Sequence, residues 1–207
     1  MAASNQSAKP NPPKTASVSE QPRKRFRIEK LEERIAPKKG GPETWLHVHR
    51  EAHRRGFVST ATMLYCHVET PDDLLDHFDA IRELQDQFHG FTAFVPWSFK
   101  PGNTLLEKWI KHYAGPNVYC RMLAVSRCYL DNVPHVQASW FSEGKRAGQI
   151  ALHFGADDWG GTLFEENVHR AADYVNKIAV DEVVDLIREA GFRPVQRTTL
   201  YERVKAF

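Results

Sequence analysis

From Ile28 onward the chain alternates amphipathic, helix-like segments with short apolar, strand-like runs, and this alternation limits the possible folds more than any other feature. Ile28, Leu31 and Ile35 have helical spacing, closed by Pro37 and the Gly40-Gly41-Pro42 break. Trp45, Val48 and Ala52 mark a second helix that stops at Gly56. Phe57–Tyr65 (FVSTATMLY) is β-rich and bounded by glycine, so it predicts a buried strand. Thr70-Pro71-Asp72-Asp73 then offers a cap, a proline at the first helical position and acids in the first turn. Leu74, Leu75, Phe78, Ile81 and Leu84 carry that helix to about Phe88. Phe91–Val95 predicts the next strand, followed by a long connection from Pro96 to Pro116 and a helix over Tyr119–Leu130. Val133–Ser139 predicts a third strand, Glu143–Gln149 a helical link, and Ile150–Phe154 a fourth strand. Thr162-Leu163-Phe164-Glu165 reads as a capping box, and Asp181–Ala190 as a last helix stopped by Gly191.

Strand–helix alternation of this kind implies parallel βαβ units with right-handed crossovers. An eight-unit barrel needs about 250 residues, more than the 207 present. The expected fold class is therefore α/β, with four β/α units forming an open sheet or half of a TIM-like (β/α) barrel. Such a half leaves two unpaired strand edges.

Residues 1–27 differ in kind. Pro10, Pro12 and Pro13 prevent a helix, no acid precedes Glu20, and little could be buried, so a disordered tail is expected. It ends in the basic cluster Arg23-Lys24-Arg25-Phe26-Arg27, read as a solvated junction ahead of the 28–207 domain rather than a nucleic-acid arm. The net charge of +2 gives no argument for nucleic acid or membrane partners. No apolar run approaches the roughly 20 residues of a membrane span. Three cysteines suit a reducing, cytoplasmic setting and exclude a disulfide scaffold.

In parallel α/β folds, chemistry is built at strand C-terminal ends. Four clusters lie there. Tyr65-Cys66-His67-Val68-Glu69 puts a thiol, an imidazole and a carboxylate together; a His beside a carboxylate can move protons near neutral pH, and a capped strand end explains the spacing equally well. The H-x-E spacing also matches zinc deaminases, but the chain has no C-x-x-C. The others are Pro96-Trp97-Ser98-Phe99-Lys100, Gln137-Ala138-Ser139-Trp140, and His153-Phe154-Gly155-Ala156-Asp157-Asp158-Trp159-Gly160-Gly161-Thr162. In the last, Asp157 and Asp158 point to opposite sides if extended, so one is expected to be structural, and the Gly-Gly lets a ligand approach the backbone. His49 and His53, four apart on a helix, are read as surface histidines, and Cys120 and Cys128 as buried helix thiols.

These runs resemble a known family. TATMLYCHVETPDDLLDHFDAIRELQDQFHGFTAFVPWSFKPGNTLLEK, RMLAVSRCYLDNVPHVQASW and ALHFGADDWGGTLFEENV are similar to the radical SAM enzymes of futalosine-dependent menaquinone biosynthesis. The nearest resemblance is to the cyclase that forms cyclic dehypoxanthine futalosine, with aminofutalosine synthase and the FO synthases as relatives. It implies the second half of a radical SAM barrel and a nucleoside-like substrate, with S-adenosyl-L-methionine and a [4Fe–4S] cluster as cofactors. It also implies His67 and Glu69 as catalytic candidates, and Tyr65, Trp97, Ser98, Gln137, Asp157, Asp158 and Gly160 as substrate or S-adenosylmethionine neighbours. The family's C-x-x-x-C-x-x-C cluster motif is absent from this sequence, and the family usually has glycine where Cys66 stands. The isolated chain is therefore expected to be inactive alone and to work as a split or truncated enzyme with a complementary N-terminal half. The alternative is a non-catalytic, degenerate half barrel that binds ligands or forms a homo-oligomer.

Overall fold

The computed structural model describes residues 41–100, 108, 110, 113–162 and 177–207. The expected tail, the helix around Ile28–Ile35 and most of the Thr162–Glu165 capping box lie outside the described residues. Helix α1 (Pro42–Arg54) begins with proline in its first turn, which gives up no hydrogen bond there, and ends ahead of Gly56 at φ +80°. Strand β1 (Ser59–Tyr65) leads to helix α2 (Pro71–Phe88). The start of α2 is a true capping box: Asp73 N donates to Thr70 Oγ1 at 3.3 Å, and Thr70 N donates to the Asp73 carboxylate at 2.7 Å.

Strand β2 (Phe91–Ser98) runs three residues past the expected end, straight through Pro96. The Pro96 carbonyl accepts from Ser139 Oγ at 2.6 Å, and β3 (His135–Val136) pairs with β2 only at Ala93 and Phe94. Proline's missing N–H therefore falls beyond the ladder, where it costs nothing. Helix α3 (Pro116–Tyr129) joins β2 to β3. β1, β2 and β3 form a parallel sheet in that order.

The expected fourth strand is a correction. Ile150–Phe154 is not extended: helices α4 (Trp140–Glu143) and α5 (Lys145–Ala151) are followed by a 3₁₀ turn over Leu152–Phe154. Ala147 and Ala151 are buried one helical turn apart, so the apolar run is the inner stripe of a helix. The fourth parallel position is held instead by Asp158, which bridges Gln137. Past helix α6 (Val180–Glu189), a hairpin of β4 (Val195–Arg197) and β5 (Arg203–Ala206), unforeseen from sequence, closes the described chain.

Side chains alternate between the two faces of the sheet. Ala61, Met63 and Phe94 pack with Phe78, Ile81 and Leu84 of α2. Tyr65 and Val136 pack with Tyr119 and Leu123 of α3. Each such buried side chain contributes about 2 kcal/mol. Thr60, Thr62 and Leu64, which share the other face of β1, are exposed, Leu64 to 46%. Gln85 braces the core from α2: its carboxamide bonds both the N–H and the carbonyl of Phe91 and donates to the Asn132 carbonyl. Arg82 donates to Tyr129 O and Asp131, and Asn132 returns a bond to Arg82 O at 2.9 Å.

Two further expectations are corrected by packing. His53 is buried at 6% exposure and His49 is half-buried, neither a surface residue, because α1 lies against Ser59 and Phe91. Cys120 is buried as expected, but Cys128 is exposed on the outer side of α3.

Candidate functional site

The candidate residues fall into three groups at the C-terminal ends of the strands. In the first, β1 ends in a tight loop. Cys66 takes φ 61°, a left-handed conformation that costs a non-glycine residue about 1 kcal/mol. Glu69 folds back so that its carboxylate accepts the Cys66 and His67 N–H groups, the latter at 2.7 Å. The His67 ring is engaged within the same loop. Nδ1 accepts from Val68 N–H at 2.7 Å, Nε2–H donates to Leu64 O at 3.1 Å, and Glu69 Oε2 lies 3.1 Å from Nδ1. His67 and Glu69 are thus brought together, each already holding the loop in shape. Burial, with Glu69 beside it, pushes the Cys66 thiol up, so the thiol stays protonated.

The second group centres on Glu143, a residue that sequence reasoning missed. Glu143, with its side chain only 4% exposed, accepts from Ser98 Oγ, from Ser142 Oγ at 3.1 Å and from Lys100 Nζ at 3.2 Å. Tyr65 lies beside this carboxylate, enclosed in the α3-side core, and burial followed by the Glu143 charge raises its phenol, which stays protonated. Among the described residues its hydroxyl has no hydrogen-bond partner. Glu143 gave no sequence signal beyond its place after Trp140, because its partners are 43 and 45 positions away. Trp97 is on the opposite face of β2 from Ser98 and meets Phe141 edge-on at 5.4 Å.

The third group gathers around the two aspartates, which do point to different partners. Asp157 is structural: it accepts from Arg127 Nη2 at 2.6 Å, His135 Nδ1 at 2.8 Å and Val136 N at 2.8 Å. Asp158, 7% exposed, accepts from Gly160 N at 3.0 Å, Tyr201 OH at 2.6 Å and Arg197, whose Nε is 3.1 Å away and whose Nη2 makes a second bond. The Tyr201 ring stacks on His135 at 3.7 Å, and the Arg197 guanidinium lies 3.9 Å from its centroid. Gly160 sits at φ +91°, where a Cβ would come within 2.6 Å of Gln137 Nε2. Asp158, Gly160 and Gln137 therefore form one packed unit, clasped by the C-terminal hairpin. A cleft of about 700 Å³ opens beside it, lined by Trp159, Val183, Arg193 and Phe207 among others.

Residues 88–206 match the family described as the CofH/MqnC C-terminal region. The chain belongs to this family. It is 43% identical over 170 residues to the cyclic dehypoxanthine futalosine synthase of Streptomyces coelicolor, covering 82% of this chain and 42% of the relative. It is 41% identical over 182 residues to the 5-amino-6-(D-ribitylamino)uracil–L-tyrosine 4-hydroxyphenyl transferase of Methanopyrus kandleri, covering 86% and 49%. It is 38% identical over 183 residues to the aminodeoxyfutalosine synthase of Thermus thermophilus, again covering 86% and 49%. The chain spans about half the length of these curated relatives. The matched CofH/MqnC region takes in Ser98, Lys100 and Glu143, the third group and the hairpin, while Tyr65 and the Cys66–Glu69 loop lie ahead of it.

Radical SAM chemistry implies an iron–sulfur cluster, and the cysteines present do not fit one. Cys66 lies in the β1 loop, Cys120 in the core and Cys128 on an exposed helix face. Among the described residues no three His, Cys, Asp or Glu side chains come together as a metal site. No described helix is long and apolar enough to cross a membrane.

Proposed function

We propose that this chain is the substrate-facing half of a futalosine-type radical SAM enzyme, a half (β/α) barrel over residues 28–207 that acts on a nucleoside-like small molecule. Residues 1–27 form a separate basic tail in this reading. The observation that carries it is the 43% identity to a cyclic dehypoxanthine futalosine synthase over 82% of the chain. The cluster ligands and the S-adenosylmethionine electron transfer come from residues that this chain lacks, on a complementary half. What this chain supplies is positioning: the β1 loop presents His67 and Glu69, and Trp97, Gln137 and the Asp158–Gly160 turn line the opposite sheet face. Correct placement of reactants contributes many kcal/mol in reactions of this type. With Nε2–H donating to Leu64 O, Nδ1 is the ring nitrogen that can accept a proton once Val68 N–H moves away, the role a late proton acceptor needs.

The exposed Thr60, Thr62 and Leu64 face and the edge of β1, unpaired among the described residues, support a docking place for that half. The same features support the second reading, a non-catalytic half barrel that pairs with its own copy. Co-expression with a half carrying C-x-x-x-C-x-x-C, followed by co-purification and an anaerobic assay for cyclised nucleoside, separates the two. A stable heterodimer that forms product is expected. Exclusive self-association with no product would sink the enzymatic reading.

A further inference from the structure

We propose that α1 is fastened to the sheet by a proton-sensitive lock, in which His49 and His53 share the single hydroxyl of Ser59, and that acid releases this helix while the rest of the fold persists. His49 Nδ1 lies 3.1 Å from Ser59 Oγ and His53 Nε2 lies 2.8 Å from it. A serine hydroxyl carries one proton and two lone pairs, so between two neutral rings it donates to one ring nitrogen and accepts from the other. That arrangement uses the lone pair of one imidazole and the N–H of the other. Protonating the accepting ring makes the oxygen accept from both rings and takes away the acceptor of the hydroxyl proton. Protonating both places two positive charges on rings whose centroids are 5.6 Å apart.

Among the described residues, the groups around the pair offer those charges no counter-charge. His53 meets Phe91 edge-on at 4.7 Å, His49 is 5.2 Å from Phe91 and 4.1 Å from Trp45, and Trp45 is itself 6.1 Å from His77 of α2. A Cβ on Gly90 would land on the His53 ring, so the ring fills that space completely. His53 Nδ1 is buried with no partner among the described residues. The groups facing the pair are thus Ser59 from β1, Gly90 and Phe91 ahead of and on β2, Trp45 from α1 itself, and His77 by way of Trp45. Of these only His77 titrates, and it too is pushed down by burial. The nearest acid on α1, Glu51, is engaged with Arg54 at 2.9 Å. Burial and the neighbouring His53 hold His49 at about 4, and burial lowers His53. Against a free histidine near 6.5, that spacing sets a ceiling of roughly 300-fold on the shift in the opening equilibrium. Partial exposure of His49 reduces the shift to roughly 10–30-fold.

The test is amide hydrogen exchange on the full chain at pH 7, 5.5 and 4.5, corrected for intrinsic rates and read on residues 44–56 against residues 81–85 of α2. Protection of α1 is expected to fall at least about tenfold from pH 7 to 4.5 while α2 keeps its protection. Unchanged α1 protection, or loss of α1 and α2 in step, would overturn the lock. His49→Phe fills the site without titrating and should remove most of the pH response; a full response in that variant also overturns it. The imidazole Cε1–H signals give a check that needs no variant: His49 must titrate well below 6, and a midpoint near 6.5 refutes the proposal.

Discussion

Replacing Asp158 with asparagine keeps the shape of the clasp and removes its charge. The carboxylate is 7% exposed and takes two bonds from Arg197, one from Tyr201 and one from Gly160 N–H. Hydrogen bonds to charged groups are worth about 1.5–3 kcal/mol, and removing one member of a buried pair costs about 3–5 kcal/mol. The Arg197 side chain keeps 26% exposure, so water recovers part of its charge and the cost belongs at the low end, about 3 kcal/mol. For a chain of this size that is a fall in Tm of roughly 6–12 °C. The cycle is completed with Arg197→Gln and the double variant, all four proteins melted by circular dichroism. The two single losses should overlap, with a coupling of about 2 kcal/mol. Trypsin sensitivity at Arg203 should rise in each single variant, because the hairpin is what the clasp holds. Strict additivity, with coupling under about 0.5 kcal/mol, would refute the reasoning and return Asp158 to the list of free acids.

Cys66→Gly should raise stability by about 1 kcal/mol in a thermal melt, by relieving the left-handed backbone at φ 61°; a loss of similar size would mean that side-chain packing outweighs strain. Stability should also fall with acid from the histidine range downward. The unfolded chain takes up protons below about 6.5 while folded His49 waits until about 4, so stability present above 6.5 is lost across that window and levels off below it, by about 2 kcal/mol after allowance for exposure. Denaturant midpoints that stay flat from pH 7 to 4.5 would contradict this. Anaerobic reconstitution of the isolated chain should yield no [4Fe–4S] absorption, and about four irons per chain would overturn the assignment of the cluster to another half. In the assembled enzyme, His67→Ala should lower product at least about tenfold, beyond the small loss of stability that follows from its two loop hydrogen bonds.

The elements governed by local chemistry were legible in the sequence. Thr70-Pro71-Asp72-Asp73 announces α2, and the apolar runs announce β1 and β2. Where a partner distant in sequence decides, the reading failed. Ile150-Ala151-Leu152 is too short to separate strand from helix by period, and burial of Ala147 and Ala151 settled it as helix. Hairpin strands β4 and β5 have exposed residues and no alternating pattern. His49 and His53 look like surface residues until Gly90 leaves room for a ring. The strand-end rule singled out Asp158, but its partners in the fold, Arg197 and Tyr201, lie 39 and 43 positions downstream.

The seam of Arg82, Gln85 and Asn132 has a kinetic meaning. It ties α2 to the turn ahead of β3 across separations of 47 to 50 positions without using a single β3 ladder bond. β3 itself pairs at two residues, too few to form a nucleus. The expected order of folding is that β1, α2 and β2 assemble the trough first and β3 enters it late. Truncation of Ile81 or Leu84 should slow refolding, whereas Val136→Ala should leave refolding nearly untouched and hasten unfolding.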